Sequence, residues 1–68
     1  MSAVTGAQLC RTLEQNGWSL LRINGSHYIY GKTGLKVRLS VPVHGAKPLK
    51  RGLLLHLLKF AGLSENDI

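Results

Sequence analysis

The sequence predicts an α+β fold in which three antiparallel strands lie between two helices in the chain. Apolar residues recur at helical spacing over 6–16, three short strands separated by turn residues fill 18–41, and a leucine-rich helix covers 48–61. In such an order both helices bury their apolar sides on one face of the sheet. The 68 residues suit a single domain spanning residues 1–68.

The first helix has a start and a stop signal. Thr5 followed by Gln8 predicts a capping box, in which each side chain bonds a free backbone N–H of the other residue. Asn16-Gly17 supplies residues that tolerate the left-handed conformation at a helix end. We therefore expect a helix over 6–16, with Glu14 on its solvated side.

Two strands follow, each ended by turn residues. Residues 18–23 are rich in aromatic and aliphatic side chains and stop at Asn24-Gly25, a strong hairpin signal. Residues 26–30 form the second strand, and the glycines of 31–34 predict a tight turn after it.

The third strand is predicted over 35–41 from its alternation, and Pro42 ends it. Apolar residues at every second position suit a half-buried strand, and the residues between them give it a basic outer face. The apolar set is Leu35, Val37, Leu39 and Val41, alternating with Lys36, Arg38 and Ser40.

The second helix is predicted over 48–61. Pro48 suits its first turn, where the missing N–H would be unpaired anyway, and Gly62 suits its end. Leu55 falls outside the apolar stripe, and Ser64 is expected to start one more turn. The central stripe consists of Leu49, Leu53, Leu57 and Phe60, flanked by Leu54, Leu58 and Ala61.

Composition limits the possible functions. Nine Lys and Arg against three acids give a net charge of +6, while 44% hydrophobic residues indicates a folded chain. Such a cation suits phosphate-rich polymers, anionic lipid or an acidic protein, and charge does not choose among them.

Cys10 is the single cysteine, so no internal disulfide forms. Without a signal-peptide pattern at residues 1–6 or an apolar run long enough to span a bilayer, we expect a cytoplasmic protein away from membranes.

The sequence has few residues suited to catalysis. Paired carboxylates, a phosphate-binding glycine loop, a nucleophile elbow and metal-ligand spacing are all missing, so neither metal nor cofactor is expected. His27 follows the tight turn and is a candidate general base, because histidine exchanges protons near neutral pH. Its alternative role is a hydrogen bond at a strand end.

Several cations could bind phosphate. Lys47, Lys50 and Arg51 surround the predicted start of the second helix, where free amides favour an anion. An ordinary solvated face is the equally weighted alternative. His44 is a second loop histidine, with a structural role favoured. Further candidates across the sheet are Arg22, Lys36 and Arg38, while Tyr28 and Tyr30 are either core residues or base-stacking platforms.

The sequence resembles the HicA (YcfA-like) family of bacterial toxin ribonucleases. The likeness runs over residues 4–64, where short motifs occur in the family's order and spacing. Trp18 replaces a usual Phe, and Asn24 stands where a charged or amide residue is common; neither touches the inferred chemistry. The motifs are Thr5-Gly6, Gly17-Trp18, Gly25-Ser26-His27-Tyr28, Val41-Pro42-Val43-His44, Leu49-Lys50-Arg51-Gly52 and Ala61-Gly62-Leu63-Ser64.

The resemblance implies a double-stranded-RNA-binding-domain-like fold and metal-independent cleavage of mRNA that arrests translation. It places the family's catalytic histidine on His27, with Ser26 beside it among the RNA-binding candidates. It also implies a HicB-like antitoxin that binds the toxin, shields this histidine, and contacts operon DNA through its own DNA-binding part. A non-catalytic RNA-binding module and a pure interaction protein remain the alternatives.

Overall fold

The structure, a computed structural model, describes residues 3–68, so the predictions for Met1 and Ser2 lie outside the described residues. Its main elements have the predicted order, and a short 3₁₀ helix at Glu65–Asp67 confirms the extra turn expected after Ser64. The main elements are α1 (Gly6–Gln15), β1 (Ser19–Asn24), β2 (His27–Gly31), β3 (Leu39–Pro42) and α2 (Arg51–Ala61).

Helix α1 begins with the predicted capping box. The Thr5 hydroxyl accepts from the Gln8 backbone N–H at 3.2 Å, and the Gln8 side-chain oxygen accepts from the Thr5 N–H at 2.9 Å. The helix ends at Gln15, one residue before the prediction, and Gly17 follows with a φ of 91°. Both end signals are therefore confirmed.

The three strands form one antiparallel sheet in the order β1-β2-β3. In the register of the sheet, Tyr28 lies opposite Val41 and Tyr30 opposite Leu39, so these four side chains share one face. Both helices pack there, because all their buried apolar residues join the same core cluster. The layout is that of a double-stranded-RNA-binding-domain-like α+β fold, as predicted.

The other side of the sheet is not covered by a helix, and we call it the outer face. It carries the alternate positions of β2, together with the residues paired with or diagonal to them. Its members are His27, Ile29 and Gly31 of β2, Ser19, Arg22 and Asn24 of β1, and Ser40 and Pro42 of β3.

Helix α1 approaches the end of β3 very closely. A Cβ atom built on Gly6 would collide with the backbone carbonyl oxygen of Pro42 and lie 3.1 Å from the Val43 Cα. Only glycine allows this approach, because a backbone atom cannot move aside as a flexible side chain can. Since Pro42 pairs with His27, the contact fixes the strand end beside that histidine.

The prediction for the third strand was wrong in its first half. Residues 35–38 are irregular, and Leu35 and Val37 are exposed. Strand β2 ends at Gly31, so nothing continues the ladder opposite this segment. The Arg38 Nη1 instead donates to the carbonyls of Leu35, Lys36 and Val37 at 3.2, 3.5 and 3.3 Å. The predicted tight turn is present, since the Leu35 N–H donates to the Lys32 carbonyl at 3.0 Å, but the irregular residues 35–38 lengthen the connection to β3.

The start and stripe of the second helix also differ from the prediction. Pro48 forms an isolated bridge with Thr5, and the Leu49 N–H donates to the Val4 carbonyl at 2.7 Å, so the helix begins only at Arg51. Of the predicted central stripe, Phe60 is 49% exposed and Leu53 is 36% exposed. The buried helix residues are Leu54, Leu57 and Leu58, and Leu55 is exposed as predicted.

Glu14 lies exposed on α1, as predicted, and its carboxylate also accepts a hydrogen bond from the core. The buried Tyr30 hydroxyl donates to the Glu14 carboxylate at 2.7 Å. Burial, with hydrogen bonds to Cys10 and Glu14, raises the pKa of Tyr30 well above its ordinary value. Burial likewise raises the pKa of the Cys10 thiol. Tyr30 is therefore a core residue, while Tyr28 is half-buried against the same core.

The helices of residues 3–68 are short relative to a bilayer. None of them is long and apolar enough to cross a membrane.

Candidate functional site

His27 is the first residue of β2 and lies exposed on the outer face. Gly25, with a φ of 63°, and Ser26 form the two-residue turn that brings the chain back from β1. The imidazole is thus presented at the start of a paired strand, where the backbone is held on both sides by Asn24 and Pro42. A ligand on the outer face can reach it.

Ser40 is the direct polar partner of His27. Its hydroxyl oxygen lies 3.3 Å from the His27 Nδ1, and either atom can donate, depending on the tautomer. The pair is diagonal across β2 and β3, since Ser40 faces Ile29 in the register. Occupying Nδ1 leaves Nε2 directed away from Ser40, as suits proton exchange with a ligand.

Sequence reasoning missed Ser40 as a site residue. Its alternation with Leu39 and Val41 correctly places it on the outer face, but only the register of β2 with β3 brings it to His27. The length of the 32–38 connection sets that register, and residues 35–38 were mistaken for strand.

Arg22 is the nearest predicted cation by strand register. It lies opposite Ile29 on β1 and so diagonal to His27, with Cα atoms about 7–8 Å apart in such a pair. Arg22 shares the outer face with His27 because it lies two residues before Asn24, the partner of His27. The bulge between Leu20 and Arg22 shifts the register beyond it, so that Ser19 also lies on this face. Asn24 lies directly opposite His27.

Two further predicted residues lie at the same end of the sheet. Ser26 is half-buried in the turn, and its carbonyl accepts from the Val43 N–H at 2.8 Å. His44 follows Val43 in an exposed loop. This hydrogen bond holds the start of the His44 loop against the turn that precedes His27.

The cations near α2 are less closely associated with His27. Lys47 closes a turn by donating its N–H to the His44 carbonyl at 3.0 Å, and Lys50 is the N-cap residue of α2. Arg51 forms an ion pair with Glu65 at 2.8 Å, so its guanidinium is already engaged. These residues lie in the connection between β3 and α2 or at the first residue of α2.

Lys36 is not brought to His27. It precedes β3, whereas His27 pairs with Pro42 at the far end of that strand. The length of β3 alone separates the two ends by about 10 Å.

The outer face carries no carboxylate. The chain has three acids: Glu14 on α1, paired with Tyr30, and Glu65 and Asp67 in the 3₁₀ helix after α2. In a chain with a net charge of +6, the sheet surface around His27 therefore presents Arg22 without a neighbouring acid. Such a surface attracts polyanions.

The same elements that build this site carry a family signature. A family model described as the HicA toxin of bacterial toxin-antitoxin systems matches residues 6–63 of the 68-residue chain, from the first residue of α1 to just beyond α2. The chain belongs to the HicA toxin family. No curated protein matched the sequence.

Membership in the HicA family makes the protein the toxin of a toxin-antitoxin system. The match includes His27 and its partner Ser40, and it ends before Glu65. Among residues 3–68 of this HicA chain, no three His, Cys, Asp or Glu side chains are grouped as metal ligands.

Proposed function

We propose that this HicA chain is an endoribonuclease that cleaves mRNA in the cytoplasm and so arrests translation, with His27 as its catalytic residue. The observation that carries the proposal is an exposed histidine, oriented by Ser40, on a sheet face without carboxylates. A ribose-phosphate chain supplies its own nucleophile, so one proton-transfer group and nearby cations suffice for catalysis.

The reaction uses the ribose 2′-hydroxyl. His27, in its neutral form, accepts the 2′-hydroxyl proton as that oxygen attacks the adjacent phosphorus. The bond from phosphorus to the 5′ oxygen breaks, a proton is delivered to that leaving oxygen, and the products are a 2′,3′-cyclic phosphate and a 5′-hydroxyl end. Arg22 lies nearest to stabilise the added negative charge.

The remaining candidates have subsidiary roles in this proposal. Ser26 and His44 adjoin His27, and His44, a tyrosine or water would donate the proton to the leaving group. The cations around the start of α2 would engage phosphates farther along the RNA, although Arg51 must first leave Glu65. The candidates in this outer set are Lys36, Lys47, Lys50 and Arg51.

The deciding experiment compares the wild-type protein with His27→Ala on a labelled mRNA in excess EDTA, with binding followed in parallel. We expect cleavage to fall by about 10²- to 10⁴-fold while binding persists. His56→Ala is the matched control, because His56 is an exposed residue of α2 that has no role in the proposed site, and this variant should cleave RNA normally.

Equal cleavage by the His27→Ala variant would reject the site assignment. Binding without cleavage by any of the three proteins would instead support a non-catalytic RNA-binding module, an activity that this fold also suits.

We further propose that a HicB-like antitoxin binds this chain and covers the outer face over His27, and that operon DNA is contacted only through the antitoxin. Coexpression with the protein encoded by a neighbouring HicB-like reading frame should yield a complex that no longer cleaves RNA. A complex that retains full cleavage would show that the partner binds elsewhere.

A further inference from the structure

A pocket lies on the outer face, at the end of the sheet away from His27. It has a volume of about 210 Å³ and is open to solvent. Ser19 and Gly31 are paired across β1 and β2, and Gly31 shares the face of His27. The lining residues are Ser19, Leu21, Gly31, Lys32, Thr33 and Arg38.

The pocket contains two cations and two hydroxyls. Lys32 and Arg38 supply the positive charges, and Ser19 and Thr33 supply neutral donors. These are the side-chain types that bind phosphate oxygens in nucleic-acid complexes. All three acids of the chain lie on α1 or after α2, so none neutralises the pocket.

Arg38 is held in place before any ligand arrives. Its Nη1 faces three backbone carbonyls, which leaves the donors on Nη2 and Nε for another acceptor. The guanidinium lies across Gly31, where a Cβ atom would come 3.3 Å from Nε and 2.7 Å from the Leu21 side chain. Arg38 can occupy this position because Gly31 has no side chain.

Lys32 is also partly fixed. Its Nζ lies 5.9 Å from the centre of the Trp18 ring, a cation–π distance, and the residue is half-buried. Holding both cations in place lowers the entropy lost when an anion binds in the pocket.

We propose that this pocket binds a backbone phosphate of the RNA strand whose cleavage site lies at His27. This inference rests on the proposed function, which supplies RNA as the ligand. It adds binding residues at the end of the sheet away from His27. Gly31 lies four residues after His27 on β2, which is about 13 Å along the strand. The bound phosphate would then lie no more than about four nucleotides from the cleaved bond, and fewer in an extended strand.

Binding of a short mixed-sequence single-stranded RNA tests this inference. Fluorescence anisotropy over a range of salt concentrations, with every protein also carrying His27→Ala to keep the RNA intact, gives both affinity and salt dependence. We expect Lys32→Gln and Arg38→Gln each to weaken binding on the order of tenfold. Each should also reduce the slope of log K against log salt by about 0.7, the value for one phosphate contact on a single strand.

Matched controls remove the same charges elsewhere. Lys59→Gln on α2 and Arg11→Gln on α1 alter exposed residues on the helix side of the sheet, and they should change affinity much less. Thermal unfolding of each variant checks the fold. If Arg38→Gln does not fold, Lys32→Gln decides, because Lys32 does not cap the 35–37 carbonyls.

The outcomes separate this inference from the proposed function. Pocket variants that bind like the controls would reject the phosphate pocket, even if the wild-type protein cleaves RNA through His27. Pocket-dependent binding without cleavage by the wild-type protein would reject the ribonuclease and keep the pocket. No RNA binding by any protein would reject both.

Discussion

Tyr30 and His27 lie on the same five-residue strand but face opposite sides of the sheet, and their surroundings differ completely. Tyr30 is 1% exposed, packed in the core and bonded to Glu14, whereas His27 is exposed and has Ser40 as its side-chain partner. The β2 strand therefore carries a core residue on one face and the proposed catalytic residue on the other. Substitutions on one face should change stability, and those on the other should change activity.

The largest effect is expected from Tyr30→Ala. Removing a fully buried aromatic side chain costs about 3–5 kcal/mol, which is most of the stability of a chain this small. Urea unfolding should show a largely unfolded variant, whereas His27→Ala on the other face should shift the free energy of unfolding by less than about 0.5 kcal/mol. Similar losses for both would contradict the division between faces.

Gly6→Ala should lower both stability and activity, although Gly6 lies on the helix side of the sheet. The added Cβ meets the Pro42 carbonyl, so α1 must move away from β3 at a cost of about 1–3 kcal/mol. Because Pro42 pairs with His27, we also expect weaker RNA cleavage by the folded fraction. Gly52→Ala is the control, since a Cβ there meets no atom within 4 Å. Wild-type stability in Gly6→Ala would show that the close approach is not required.

Ser40→Ala should affect activity alone. If the hydroxyl positions His27 in the proposed ribonuclease without touching RNA, losing one hydrogen bond should lower kcat by about 2- to 10-fold with little change in KM. Ser40→Thr keeps the hydroxyl and should restore most of the rate. A change in KM of the same size would indicate that Ser40 contacts the RNA directly.

The smallest effect is expected from Tyr30→Phe, which should change how the free energy of unfolding depends on pH. The folded pKa of Tyr30 lies above the unfolded value of about 10, so its contribution to stability is complete below about pH 10 and is lost as the pH rises further. Tyr30→Phe should cost about 1 kcal/mol at neutral pH by losing the bond to Glu14. Urea unfolding between about pH 8 and pH 11 should show a steeper loss in the wild-type protein than in the variant. Parallel curves would mean that Tyr30 ionises equally in both states.

Local signals explain which parts of the fold the sequence predicted. The Thr5–Gln8 capping box, the Asn24-Gly25 turn and the glycine at 62 act over a few residues, and the structure contains all three features. The predicted element order and fold class are confirmed for the same reason.

Long-range contacts explain the errors. Helix α2 starts late because Leu49 bonds to Val4, and Leu35 lacks a strand partner because β2 has already ended. The candidate site also has one residue that local signals predict and one that only long-range pairing brings there. The turn pointed to His27 from neighbouring residues, but Ser40 becomes its partner only through the pairing of β2 with β3.

The hydrogen bond from Leu49 to Val4 has a consequence for how the chain folds. It joins positions separated by most of the sequence, so the loop it closes contains α1 and the whole sheet. Closing so long a loop is entropically unfavourable until the intervening hairpins have shortened it. We therefore expect the β1-β2 hairpin to form early and the Val4–Leu49 contact to form late, so that substitutions at Val4 accelerate unfolding more than they slow folding.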